Sequence, residues 1–253
     1  MSEIMITLLA GIFLPLFPMS MVFNAVLDNV KQPWLRVLLF IAWPLCGVFI
    51  VFYSGVYIPN WVLTLALITS SLYALRMLSL REVNQWNGFL ATSLWSLLWL
   101  AAAYETSEML LYGYALSMTI PLILLLLLSA GLEQRFGAAY TGLYGGLART
   151  IPRFSGILVT VVVAAIATPL FPTFFIMFDL IIETVSVLPL AAAALLFIWL
   201  LWSWAGTRLI QGLIVGRASK VKVADIGFVS ISFYSIILIG LAIAGVYMSG
   251  VIL

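Results

Sequence analysis

Eight apolar stretches, at residues 4–27, 35–57, 61–78, 86–104, 107–132, 154–171, 173–205 and 226–252, fill most of this sequence and leave only short connections between them. A helix that crosses a bilayer needs about 20 mostly apolar residues, and in hydrocarbon each backbone N–H and C=O must find its partner within the protein. These runs are continuous and lack the two-residue alternation of an outer-membrane barrel. They predict an all-α, polytopic transmembrane helix bundle of about eight spans, one domain over 1–253. Composition leads to the same class, with 65% apolar residues, 8% charged residues and a mean hydropathy of +1.23. A water-exposed surface is built with about 25% charge. The first stretch lacks a basic leader and a small-residue cleavage site, so it is expected to be a retained span rather than a signal peptide.

The basic residues test this count independently. Lys31 and Arg36 follow the first span, Arg76 and Arg81 the third, Arg135, Arg149 and Arg153 the fifth, and Arg208, Arg217, Lys220 and Lys222 the seventh. These are all 11 basic residues of the chain. With eight spans the odd-numbered connections share one side, and the excess of Lys and Arg makes that side the cytoplasm. Both termini are then expected to face outward, in a bacterial-type inner membrane. Removing or adding one span in the middle would scatter the charges over both faces.

The same inventory excludes several kinds of chemistry. There is no histidine, which removes His-based zinc or haem ligation and His-Asp acyl-transfer triads. Cys46 is the single cysteine, so no disulfide framework or Cys-rich metal site is expected. A net charge of +2 is too small for a nucleic-acid platform. Gly142, Gly145 and Gly146 lack the Gly-Lys-Ser/Thr ending of a phosphate loop. No cofactor, metal or catalytic constellation is expected, and whether the chain serves an enzyme complex stays open. Trp34, Trp61, Trp86, Trp202 and Trp204 fall near predicted span ends, where interface anchors belong.

The seventh stretch is anomalous. At 33 residues it would measure roughly 50 Å as one helix, against a hydrocarbon core of about 30 Å. Pro189 sits near its middle, where proline removes a backbone hydrogen bond. The sequence predicts a break around Ser186 to Pro189, with a long tilted helix as the alternative. Discontinuous helices often mark ion sites. Asp179 and Glu183, four residues apart, share one face of this stretch and are the acids placed well inside a span. Burial and a neighbouring like charge both favour the protonated form of a carboxyl group, which suits a group that loads and releases protons; a salt bridge to a partner chain is the alternative. Thr173, Thr184 and Ser186 are candidates to hold water or to satisfy opened backbone along a proton path. Glu105 and Glu108, on the opposite connection, are a candidate mouth of a cation path or an ordinary solvated loop.

One set of motifs goes beyond composition. Leu132-Glu133-Gln134-Arg135, then Gly145-Gly146-Leu147-Ala148-Arg149-Thr150-Ile151-Pro152, then Pro169-Leu170-Phe171-Pro172-Thr173-Phe174-Phe175 resemble the second half of the antiporter-like membrane subunits. These are the proton-translocating subunits of respiratory complex I, multisubunit Na+/H+ antiporters, membrane-bound hydrogenases and DabB-type inorganic-carbon transporters. Thr207 to Gly216 and Ala224-Asp225-Ile226 extend the likeness, which covers residues 60–225. The resemblance implies a proline-rich turn feeding a broken helix that bears a charged residue. It also implies other membrane subunits and a soluble or peripheral catalytic partner. Several family positions differ here. The family's lysine falls at Asn84, its histidine and following lysine at Met118 and Leu122, and the charge of its broken helix near Met177, with Asp179 two residues away.

Three functions follow as expectations. One is a membrane subunit that conducts protons or cations to drive a partner, for example in energy-coupled inorganic-carbon uptake or in a complex I-like machine. Another is a non-conducting structural or assembly subunit. The third, an independent carrier, calls for two matching halves with similar interrupted spans, and no such repeat is expected from this sequence.

Overall fold

The computed structural model describes residues 3–55, 57–104, 107–143, 145–216 and 223–252. Among them are twelve helices: α1 Glu3–Phe13, α2 Met21–Asn29, α3 Pro33–Ser54, α4 Asn60–Met77, α5 Val83–Ser96, α6 Leu98–Ala103, α7 Glu108–Phe136, α8 Leu147–Thr150, α9 Pro152–Ala165, α10 Pro172–Val187, α11 Pro189–Ile214 and α12 Phe228–Ile252. No strand occurs among the described residues beyond one isolated bridge between Glu82 and Tyr140. Prolines open α3, α9, α10 and α11, where the missing N–H would have had no helical partner. Gly55 and Gly137 close α3 and α7 with positive φ, the conformation that glycine adopts at least cost. The helices α3, α7, α11 and α12 are each long and apolar enough to cross a membrane, and the molecule is a multi-pass membrane protein.

The chain runs between two ends of the bundle eight times. At one end Asn60 and Tyr104 lie beside Leu188 and Pro189, and Ala102 and Ala103 beside Tyr57 and Ile58. At the other, Thr141 N–H donates to Arg81 O (2.8 Å), Gly142 N–H to Gly212 O (3.2 Å) and Gly146 N–H to Val215 O (3.3 Å). The Asp225 carboxylate there accepts from the Arg153 and Phe154 N–H groups at 2.8 and 3.0 Å. It caps the open start of α9 with negative charge at the positive pole of the helix. Lys31, Arg36, Arg76, Arg81, Arg135, Arg149, Arg153 and Arg208 all belong to this second, basic end. Arg217, Lys220 and Lys222 lie outside the described residues.

The traverses are partitioned differently from the sequence expectation. Ser186 to Pro189 is a reversal of the chain at the far end of the bundle, not a break inside a membrane helix. Leu188 leaves the helical conformation, with φ −138° and ψ 77°, and Pro189 starts a new helix because its ring is pre-set for the first helical position. Helices α10 and α11 then run antiparallel, with the Phe174 and Trp199 rings 5.3 Å apart. The stretch expected as one span over 173–205 is therefore parts of two traverses, α9–α10 and α11.

The interruption lies one step earlier, at 166–171, between α9 and α10. A second one lies at 14–20, between α1 and α2, inside the stretch expected to be a continuous first span. Both carry the same four residues, Pro15-Leu16-Phe17-Pro18 and Pro169-Leu170-Phe171-Pro172. Two prolines three apart remove two backbone donors and cannot sit in one continuous helix. The interrupted traverses are the first and the sixth, so they run in opposite directions, the arrangement of an inverted repeat. The chain thus holds one pair of similarly interrupted traverses, which the sequence reading did not expect.

Each interruption is closed by indole donors. Trp43 Nε1 donates to Ile12 O (3.0 Å) and Trp99 Nε1 to Leu14 O (2.9 Å), while Phe17 N–H donates to Thr69 Oγ1 (2.9 Å). At the other interruption Trp199 Nε1 donates to Ala167 O (2.9 Å) and Thr168 Oγ1 to Val163 O (2.8 Å). Ala167 and Leu170 there hold positive φ of 58° and 94°, rarely adopted by side chains with a Cβ. Neighbouring helices press on both turns through glycines. A Cβ on Gly47 of α3 would stand 2.9 Å from Leu14 N, and one on Gly245 of α12 would overlap the Leu170 carbonyl oxygen.

Several tryptophans thus have interior work. Trp34, Trp61 and Trp204 are exposed on the surface of the chain, as interface anchors require, but Trp86 and Trp202 are fully buried, contrary to expectation. Trp202 reaches inward to donate to Ser93 Oγ (2.8 Å).

Replacing Trp199 by Phe keeps the ring packing and orphans the Ala167 carbonyl, at a cost of about 1–3 kcal/mol. The thermal midpoint in detergent is expected to fall by roughly 3–10 °C. Gly245→Val drives a side chain into the Leu170 peptide and is expected to lower the midpoint by a similar amount, whereas Gly250→Val, with open space around it, leaves it unchanged.

Candidate functional site

The most buried helix is also among the most polar. Along α5 nearly every residue is enclosed by its neighbours, so Asn84, Asn87, Thr92, Ser93 and Ser96 cannot turn to solvent or lipid and must bond inside. Asn84 Nδ2 donates to Glu133 Oε1 of α7 at 2.6 Å, and Asn87 Nδ2 to Leu122 O at 2.9 Å. Ser70 Oγ and Ser93 Oγ are 2.8 Å apart. Trp95 Nε1 donates to Thr119 Oγ1 at 3.1 Å. Several buried groups have no protein partner: Asn84 Oδ1, Asn87 Oδ1, Ser129 Oγ, Ser20 Oγ and Thr173 Oγ1. Polar atoms enclosed without a protein partner are where ordered water is expected.

Asp179 sits on α10, two turns past the interruption. It is half-buried, and its carboxylate accepts a 2.6 Å hydrogen bond from the Tyr114 hydroxyl of α7. Thr173, at the start of the same helix, is fully buried with its hydroxyl unpartnered. The short segment after the break therefore presents a carboxylate bonded to α7 and an unpartnered hydroxyl. The first interrupted traverse carries a neutral group nearer its break. Asn24, one turn past the interruption at 14–20, donates from Nδ2 to Thr92 Oγ1 of α5 at 3.0 Å.

The other expected residues divide. Glu183 is exposed on the surface of this chain, one turn before the reversal at Leu188, and so lies nearer the far end than Asp179. Thr184 is buried, but its hydroxyl donates to the Leu180 carbonyl of its own helix, leaving it no donor for a neighbour. Ser186 is exposed and bonds the Glu183 carbonyl at 3.3 Å. Glu108 is exposed on the first turn of α7, and Glu105 lies outside the described residues. Sequence reasoning missed Tyr114, Glu133 as a half-buried partner of Asn84, and Asn87. The signal available for the two asparagines was the polar content of residues 84–96 within an apolar stretch.

The positions where the family resemblance expects charge are accounted for. Met118, Leu122 and Met177 are buried in the apolar core. Asn84, in place of a lysine, is bonded to the Glu133 carboxylate. No group of three or more metal-ligating side chains occurs among the described residues.

No protein-family model and no curated protein matches the chain. Solved structures do match it. Over 97% of its length it aligns with 54% of a chain in the structure of respiratory complex I from Thermus thermophilus with bound NADH, at a TM-score of 0.83 and 18% identity. Over 95% of its length it aligns with 51% of a chain of the membrane-bound sulfane sulfur reductase, an archaeal respiratory membrane complex, at a TM-score of 0.79 and 16% identity. Over 83% it aligns with 41% of a chain of the Mrp complex from Dietzia sp. DQ12-45-1b, at a TM-score of 0.72 and 18% identity. The chain thus shares its fold with a chain of each of these three complexes, and it spans about half the length of the chains it matches.

Proposed function

We propose that this chain is a proton- or cation-conducting membrane subunit of a multi-subunit complex, with Asp179 as the group that exchanges the ion. The observation that carries this reading is the Asp179 carboxylate, held by Tyr114 on the helix segment that follows a mid-bundle interruption. Ionisable groups at such depth are costly and mark ion paths. The buried, unpartnered Thr173 hydroxyl at the start of that segment supports a wet path there. Glu183, exposed nearer the far end, serves as the outer approach, with Ser186 beside it and Glu108 at the mouth. On the basic side, Glu133, Asn84 and Asn87 supply the inner approach. The basic end faces the cytoplasm of a bacterial-type inner membrane, by the excess of Lys and Arg there.

The partners are other membrane subunits together with a peripheral catalytic subunit. All three matched chains come from multi-component assemblies, which supports a subunit over a solitary carrier despite the pair of interrupted traverses. The driven process is energy-coupled inorganic-carbon uptake or a redox reaction on another chain. The scaffold reading draws on Met118, Leu122 and Met177, apolar where the family resemblance expects charge.

Proton uptake by vesicles containing the intact complex decides between them. Asp179→Asn is expected to slow uptake by about tenfold or more, equivalent to about 1.4 kcal/mol, and Glu183→Gln by less. Full activity in the double variant leaves only the scaffold. Co-purification in mild detergent identifies the coupling: a zinc-bearing soluble partner is expected for carbon uptake, and iron-sulfur subunits for a redox machine.

A further inference from the structure

At the basic end a cavity of about 590 Å³ opens between the ends of α4, α5 and α11 and the loop that follows α7. Its lining includes Arg81, Trp86, Tyr140, Thr141 and Arg208. Neither arginine has a carboxylate partner among the described residues, and both are exposed, so two guanidinium groups face one space with their charge uncompensated. Trp86, one turn into α5, is 1% exposed, and its indole N–H has no acceptor in the protein. A buried indole N–H normally finds a partner. Here the residue that carries it forms part of the cavity wall.

The rim is held by main-chain bonds rather than by long side chains. Thr141 N–H donates to Arg81 O and Gly142 N–H to Gly212 O, which ties the loop to both arginine-bearing elements. Glu82 is not among the lining residues. Its carboxylate accepts from the Tyr140 hydroxyl at 3.2 Å, and that carboxylate raises the pKa of the phenol, so Tyr140 stays neutral and its one proton is committed to Glu82. The space is of the size that holds a small ligand. It opens among the ends of membrane helices, and basic pockets of that kind suit phosphate groups.

We infer that this cavity is a phosphate-binding site, with Arg81 and Arg208 as the charged clamp and Trp86 as the buried neutral donor. Guanidinium groups bind phosphate oxygens by paired, charge-assisted bonds. The phosphate is carried by an anionic membrane lipid or is free in solution, and the two sources are separable.

Native mass spectrometry of the full chain in a neutral detergent, titrated with phosphatidylglycerol, phosphatidylcholine or inorganic phosphate, tests the site. Saturable retention of phosphatidylglycerol over phosphatidylcholine is expected, and the double variant Arg81→Gln, Arg208→Gln weakens it about tenfold. Arg149→Gln, which removes a charge of the same end outside this cavity, leaves it unchanged. Trp86→Phe keeps the ring and removes the donor, and is expected to weaken retention about threefold. Displacement of the lipid by millimolar inorganic phosphate, or saturable binding of phosphate alone, identifies the free anion as the source, and its failure to compete identifies the lipid. Retention equal to that of the unaltered chain in both the arginine and the Trp86 variants overturns the site, as does the absence of saturable binding by any probe.

Discussion

The structure depends on how backbone groups released in the middle of a membrane bundle are satisfied. A helix interrupted in water costs little, because water replaces the lost bonds. In hydrocarbon each orphaned group costs several kcal/mol. This chain interrupts two traverses and answers each with tryptophan donors from neighbouring helices, Trp43 and Trp99 at one and Trp199 at the other. An indole suits the task because its single donor sits on a large apolar ring that packs as core. Phe23 packs among Phe40, Trp43 and Trp95, with ring centroids 4.9 to 5.5 Å away. The residues that satisfy the interruptions therefore also build the interior.

This constraint also sets how closely neighbouring helices pack on the two turns. Gly47 and Gly245 bring α3 and α12 close enough to the two turns that a single added carbon would collide. At the second turn Ala167 and Leu170 are held in left-handed conformations, which cost about 1–3 kcal/mol each and persist only where packing enforces them. This strained turn leads directly into the helix that carries the half-buried Asp179 two turns further on. The outer segment α10 carries Asp179 into contact with α7, and through Tyr114 it is tied to the long helix that also bears Glu133.

Parts of this were legible in the sequence. The eight traverses and the gathering of the described basic residues at one end followed from hydropathy and charge, because a misplaced span would have moved arginines to the wrong face. The break near Pro189 was misplaced for a physical reason. Proline at the first position of a helix and proline inside one look alike in a long apolar run, and only the fold-back of Trp199 onto Phe174 separates them. The repeated Pro-Leu-Phe-Pro was present in plain letters at 15–18 and 169–172. Hydropathy does not reveal it, because each copy sits within a run whose mean apolarity the prolines barely lower. Trp202 and Trp86 lie near span ends in sequence yet face inward, since helical position along the chain does not reveal which side of the helix meets lipid.

The two interrupted traverses invite comparison with each other rather than with any other protein. Each places a polar side chain within two turns of its interruption, and each side chain bonds to a neighbouring helix. One is an amide, Asn24, which cannot take up or release a proton in water-like conditions. The other is a carboxylate, Asp179, which can. Asn84, likewise an amide, spends its donor on Glu133, so the acidic partner rather than the asparagine is the titratable member of that pair. On the proposed reading, Asp179 is the exchanging group and Glu133 its inner approach, both bonded to or carried by α7. The intervening wall of that helix, with buried Met118, Leu122 and Leu126, is the apolar barrier that any such path has to bridge with water.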